Sequence, residues 1–430
     1  MPLRNEDFLV KKQGAVLLMV LTAVMGVGPL VNYGLSTTSS LIMAEFQITE
    51  AQFGLLATAC FFSAALSSSS LGRLSDRISA NAQLLIVFGG TSAGLLAIAI
   101  APSYAWLLVA VAIAGPAQAI SNPMTTRAIM RSVAADKRAG WIGVKQSGVQ
   151  GSQFFAGLFF PAVAVLAGWQ GAAAAAAAFV GALLLFSWNR LPEGSVPASP
   201  GSHMRWDRTG RLIASKADTG AATTARRRHS RRFPAAVWIF TAYSLFSAVG
   251  VQATNVYLPL FAQREMGLGL LLAGLTAGLS GLVGVSFRIF WGKKMNSGVR
   301  TSTLMVVLAV GALLGAILLL LAGKFHAEPL LWVGVALHGA TALGTSVVVI
   351  AGVMRDIPAG REGAASGVIS LGLYLGFGIG PLAMGGALQL SGGFSFGWAV
   401  VGTNYALCVV LALILRGHRL KQAAARIARA

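Results

Sequence analysis

The sequence predicts an all-α membrane protein with twelve transmembrane helices in two pseudo-symmetric six-helix bundles. Three observations carry that expectation. Hydrophobic residues make up 56% of the 430 and charged residues only 11%, against about 25% charged in a soluble domain. Apolar runs of about 20 residues, the length that crosses ~30 Å of hydrocarbon, recur from end to end. The second half of the chain also repeats landmarks of the first at a near-constant spacing.

The spans follow in order. Span 1 is Gly14–Leu35. Lys11 and Lys12 precede it without a cleavage site after it, so it reads as a retained helix rather than a signal peptide. A loop with Glu45 and Glu50 and no Lys or Arg leads to span 2, which ends at Leu71 before a charged turn, Leu71-Gly72-Arg73-Leu74-Ser75-Asp76-Arg77. Spans 3 to 6 are Leu84–Ala101, Tyr104–Thr126, Gly140–Ala167 and Gly171–Trp188. The alanine run from Ala172 to Ala178 needs no special function, because alanine forms helix well and packs closely. Leu191–Phe233 breaks the pattern with three early prolines and an arginine-rich run from Arg226 to Arg232. Spans 7 to 12 are Ala235–Phe261, Leu268–Trp291, Thr303–Leu321, Leu330–Met354, Ala364–Leu390 and Phe396–Leu415, followed by a basic tail. The expected units are therefore a bundle over 1–190, a basic cytoplasmic linker over 191–233 and a second bundle over 234–430.

Net charge is +20, which alone would suggest nucleic acid. Its distribution argues otherwise. With twelve spans starting inside, only Arg264 and Lys324 of 33 Lys and Arg fall in outward-facing loops. Excess Lys and Arg marks cytoplasmic segments, so both termini are expected in the cytoplasm, most simply across a bacterial inner membrane. The linker's arginines hold topology and touch anionic lipid. Cys60 and Cys408 both lie in apolar spans, which suggests neither a disulfide framework nor a metal site. No Walker-type phosphate loop is present, and no catalytic constellation stands out. No enzyme activity and no cofactor is expected.

The repeat is explicit. Met130-Arg131, Gly143-Val144 and Gly148 match Met354-Arg355, Gly367-Val368 and Gly372 at a constant offset of 224. Gly72 matches Gly292 at 220, and Asn32 matches Asn255 at 223. Duplicated halves that rock about a midplane site are one route to alternating access.

Polar and ionisable groups in lipid are functional candidates by default, because burying them is costly. None of the 13 Asp and Glu falls deep inside a span. The cations are better placed. Lys145 lies early in span 5, flanking a stripe of Gln146, Gln150 and Gln153 on one helix face. That pattern suits a water-filled path with Lys145 on an anionic group, or equally a snorkelling lysine beside interhelical amides. Arg127 ends span 4 and Arg288 lies one turn before the end of span 8. Each could contact an anion or anchor topology. Gln118, Ser121, Asn122 and Thr125 share a face of span 4, where Pro123 is expected to break the backbone ladder. Asn32 and Tyr33 follow an expected break at Gly28-Pro29, and Gln252, Asn255 and Tyr257 cluster in span 7. His338 is the one histidine well inside a span and titrates near neutrality, which makes it the candidate for proton coupling. A neutral His338 bonded to a neighbouring helix is the alternative.

The turn Gly72-Arg73-Leu74-Ser75-Asp76-Arg77 between spans 2 and 3, in this topology, resembles the signature of the major facilitator superfamily. The resemblance implies the twelve-helix fold, a gating role for Gly72, Asp76 and Arg77, and a cavity lined by helices 1, 4, 7 and 10. The second-half copy, Gly292-Lys293-Lys294-Met295-Asn296, has Asn in place of the acid. Val144-Lys145-Gln146-Ser147-Gly148 is similar to the helix-5 start of the cyanate or organic-anion permease branch. The drug antiporter pattern is absent: Val111 stands where those carriers have an arginine four residues before a glycine, here Gly115.

The expected activity is thus secondary active transport, proton-coupled uptake of a small organic anion such as a carboxylate by a monomer. Its partners would be that substrate, protons and membrane lipids, and not nucleic acid. Drug or metabolite efflux by proton antiport is the first alternative. A non-transporting membrane receptor or scaffold is the second.

Overall fold

A computed structural model describes residues 3–75, 77–134, 137–191, 204–206, 212–214, 233–356, 362–391 and 393–427. Eleven helices are long and apolar enough to cross a membrane, and one of them accounts for two crossings. That helix, Arg138–Ser187, runs for 50 residues, about 75 Å if straight. Gly168 interrupts it at φ 71°, ψ 171°. Positive φ there suits glycine, which has no Cβ to clash. The chain reverses at that residue, giving α5 (138–167) and α6 (169–187).

The other helices are α1 (Leu3–Thr37), α2 (Glu50–Leu74), α3 (Ala80–Ala99), α4 (Tyr104–Ser132), α7 (Ala235–Arg264), α8 (Leu270–Asn296), α9 (Thr301–Phe325), α10 (Glu328–Asp356), α11 (Glu362–Ser391) and α12 (Phe394–Ile427). A two-turn helix, Ser39–Phe46, joins α1 to α2. Twelve crossings put both ends of the chain on one face, called here the terminal side.

Most helices extend past their apolar runs. Hydropathy marks only the hydrocarbon depth, whereas helical hydrogen bonding continues into the polar boundary. Ser79 and Ser103 cap α3 and α4, each accepting a backbone N–H with its hydroxyl, from Ala82 and Trp106.

Two expectations need correction. Gly28-Pro29 does not break α1, and α4 stays helical through both Pro116 and Pro123. Each proline removes one ladder bond, and the helix continues on both sides of it. Irregularity sits elsewhere: a π segment at Leu85–Gly89 in α3 and a 3-10 turn at Ala342–Gly344 in α10. Most of the linker lies outside the described residues. Within it, Met204–Trp206 pairs antiparallel with Leu212–Ala214.

The packing obeys the repeat. In the first half α1 packs on α5, and in the second α7 packs on α11. The halves meet along α5 with α8 and along α2 with α11, which are equivalent pairs under the same duplication. At the first seam, a Cβ added to Gly157 would lie 2.4 Å from Gly278 N and 2.6 Å from Gly274 O. Only glycine permits that backbone approach.

The far side is sealed across the halves. Ser36 Oγ contacts the Asn255 and Val256 carbonyls at 2.8 Å each, and Ser40 Oγ donates to Gln263 Oε1 at 2.5 Å. Tyr257 Oη donates to the Glu50 carbonyl at 2.5 Å, and Arg264 pairs with the Glu50 carboxylate. Thr58 Oγ1 donates to the Gly378 carbonyl at 2.7 Å. Nearer the terminal side, Arg288 also bridges the halves by hydrogen bonding.

Candidate functional site

A cavity of about 190 Å³ lies between the halves, walled by α1, α2, α4 and α5 from the first and by α7, α8, α10 and α11 from the second. It sits below the far-side seal. Asn122 and Ile350 on its wall are exposed, so it communicates with the terminal side.

Asn32, Tyr33, Gln118, Asn122, Gln146, Gln150, Gln252 and Asn255 all line it, and so does Arg288. Among the described residues no Asp or Glu does, and Arg288 is the one charged side chain on the wall. Its guanidinium spans three elements. Nη1 donates to the Gln146 carbonyl of α5 at 2.8 Å, Nε to the Leu343 carbonyl at 3.0 Å, and Nη2 to Ser346 Oγ at 3.3 Å. Leu343 belongs to the 3-10 turn of α10, so the local irregularity presents a carbonyl to the cation.

Lys145 does not reach the cavity. It is fully buried, and its ammonium turns into α4. There it donates to Asn122 Oδ1 at 2.9 Å, Thr125 Oγ1 at 2.8 Å and Thr126 Oγ1 at 2.7 Å. Three strong acceptors match the three donors of an ammonium. Lys145 therefore holds Asn122, which is on the wall, from behind it. Its repeat counterpart, Ile369, is also buried.

His338 is likewise behind the wall, only 2% exposed. It meets Asn255 Oδ1 at 3.2 Å through Nε2, and Gln153 Nε2 donates to the same oxygen at 3.2 Å. An amide oxygen accepts, so His338 donates there and carries its proton on Nε2. Asn255 thus links a buried histidine to the cavity and, through its own carbonyl, to Ser36 of the far-side seal.

Two other expected contacts lie elsewhere. Tyr257 belongs to the seal, edge-on to Phe53 with centroids 6.2 Å apart. Arg127 Nη1 donates to the Ser75 carbonyl at 2.6 Å, and Gln83 Nε2 donates to the same oxygen at 3.0 Å, so both clasp the α2–α3 turn. Of the gating group, Asp76 and the surroundings of Gly72 lie outside the described residues, and Arg77 is exposed.

The sequence reading missed the second-half wall. Ser370, Tyr374 and Phe377 stand at offset 224 from Gln146, Gln150 and Gln153, and all three line the cavity. Ser346 and Thr345 likewise correspond to Asn122 and Ser121. The repeat was the signal: carrying the span 5 stripe across it would have found the α11 face.

Two six-helix bundles closing over a cavity with polar groups set in an apolar wall, open to one side of the membrane, define a membrane carrier. The sequence pattern of the Major Facilitator Superfamily matches residues 18–381, and the chain belongs to that family. Solved structures share the fold at low identity. A D-xylose-proton symporter matches with a TM-score of 0.73 and 14% identity, covering 93% of this chain and 96% of that one. The nucleoside transporter NupG matches at 0.67 and 16%, covering 93% and 99%. A bacterial homolog of the human lysosomal transporter Spinster, in an inward-facing unoccupied conformation, matches at 0.65 and 16%, covering 94% and 95%. No curated protein sequence matches the chain significantly.

Proposed function

We propose that the protein is a proton-coupled carrier that brings a small organic anion into the cell. One observation supports the anion most directly: among the described residues the cavity wall carries a single charge, the Arg288 guanidinium, and no acid balances it. An arginine in a low-dielectric cavity favours a carboxylate, which it meets with paired N–H groups. The same wall is unsuited to a cationic drug, since it offers no carboxylate. In this account Arg288, rather than Lys145, takes the anionic group, and Lys145 keeps Asn122 in place.

Arg288 also supplies a link between binding and movement. It bonds across the halves to Gln146 O. An anion that competes for Nη1 weakens the terminal-side bridge, so binding acts on the rocking equilibrium. We assign the coupling proton to His338, because it is buried one hydrogen bond behind the cavity. Asp76 we assign to gating at the α2–α3 turn. The domains would be 1–190 and 234–430 about a cytoplasmic linker, with both termini in the cytoplasm of a bacterial cell.

The test is uptake of labelled monocarboxylates into proteoliposomes. An inward proton gradient should accelerate it, and His338→Gln should abolish that acceleration while leaving substrate counterflow intact. Uptake that ignores the gradient would remove the proton from the account. Gradient-driven expulsion of a cationic dye instead would favour efflux.

A further inference from the structure

We propose that the anion is a hydroxylated monocarboxylate, an aldonate-like acid whose carboxylate docks on Arg288 and whose hydroxyls bond the carboxamides of α1, α4, α5 and α7. This rests on the reading of Arg288 as the anion contact and extends it to the rest of the molecule that is carried.

Among the described residues the wall holds seven carboxamides and one charge. A carboxamide is both donor and acceptor, so a ligand that meets several must itself offer both. An ionised carboxylate only accepts. An unsubstituted fatty acid would satisfy Arg288 and leave the amide oxygens without donors.

Those oxygens are in want of donors. Asn32 Oδ1, Gln118 Oε1 and Gln150 Oε1 are buried and have no hydrogen-bond partner among the described residues. Asn32 and Gln150 are only 4% and 2% exposed, yet both face the cavity. Buried polar atoms without partners are rare and costly in native proteins, and a hydrogen bond from a ligand hydroxyl relieves the cost. The first half alone therefore holds three unpartnered amide oxygens in residues of the cavity wall, on α1, α4 and α5, each covered in this conformation and reached by a ligand hydroxyl once its side chain turns.

The donors must be neutral. An ammonium group, as in an amino acid, would find no carboxylate on this wall. The charge must be single, because one guanidinium stands alone there and Lys145 faces away into α4. Phe61 and Phe377 close another side, their ring centroids 5.2 Å apart, with Tyr374 beside Phe377. Aromatic faces of this kind cover the C–H edge of a polyol chain while its hydroxyls turn to the amides. The cavity is small beside drug-sized sites, which suits a short-chain metabolite.

The experiment is equilibrium binding to the purified, detergent-solubilised carrier. The probes are C5 and C6 aldonates of differing configuration, hexanoate, and the matching alditols such as sorbitol and xylitol. At least one aldonate should bind ten or more times tighter than both hexanoate and its own alditol. Arg288→Gln should bring that aldonate down to the level of the alditol. Gln150→Leu and, independently, Gln118→Leu should weaken the aldonate and leave hexanoate unchanged, with each variant's folding checked by its melting temperature. Hexanoate binding as tightly as the best aldonate would overturn the hydroxyl assignment while the anion reading stands. An alditol binding as tightly as its aldonate would overturn the anion reading itself. No binding by any probe to the folded protein would overturn the substrate class.

Discussion

At the scale of the residue, Arg288 lines the cavity and Lys145 does not, although the glutamine stripe draws attention to Lys145. Lys145 neighbours the Gln146–Gln150 stripe, but one residue along a helix is a rotation of about 100°. That rotation carries its ammonium off the cavity face and onto Thr125, Thr126 and Asn122. The amides were legible because a stripe shares one face. The lysine's direction was not, because it depends on which helix lies alongside. Lys145→Met should leave three polar oxygens on α4 without their shared donor. The expected loss is about 2–4 kcal/mol, from charge-assisted bonds offset by hydroxyls that rebond to their own helix. It should appear as a lower melting temperature in detergent together with a raised KM, since Asn122 loses its support. A variant with unchanged melting temperature and KM would make the cluster incidental.

At the scale of the element, the spans and their order were plain in the sequence, but their irregularities were not. Proline drew attention to Pro29 and Pro123, yet α1 and α4 continue through both. The departures at Leu85–Gly89 and Ala342–Gly344 have no proline, and at the second the winding coincides with tertiary hydrogen bonds. Leu343 O is taken by Arg288, and Trp291 Nε1 donates to Ala340 O at 2.6 Å. The α5–α8 seam makes a sharper prediction. Gly157→Val would thrust a side chain into the Gly274 and Gly278 backbone, an overpacking that costs about 1–3 kcal/mol. The halves should separate along that seam, seen as a lower melting temperature and reduced counterflow. The α2–α3 turn makes another. Arg127 and Gln83 both hold the Ser75 carbonyl beside Asp76. Arg127→Met should therefore slow transport, as should Asp76→Asn, with equilibrium substrate binding unchanged in both. Weaker binding in either variant would return that residue to the substrate site.

At the scale of the whole molecule, the duplication explains both the wall and the seal. Asn32 and Asn255 are repeat partners that both line the cavity, and their pairing was readable from spacing. The far-side seal was not, because Ser36, Ser40 and Glu50 acquire meaning only when the two halves are brought together. The Glu50–Arg264 pair is partly exposed, with side chains 26% and 42% accessible. An exposed pair contributes about 0–1 kcal/mol. Glu50→Gln should therefore raise the far-side-open population by no more than about fivefold, read from spin-label distances between the far ends of α1 and α7. A complete switch to the open state would mean that the pair governs the seal alone. The central claim concerns the cavity's single charge, and counterflow of a labelled monocarboxylate in proteoliposomes tests it most directly. Arg288→Gln, folded and inserted as the wild type is, should lose about 100-fold in apparent affinity, the worth of two charge-assisted hydrogen bonds. Wild-type counterflow from Arg288→Gln at the same substrate concentrations would contradict the account.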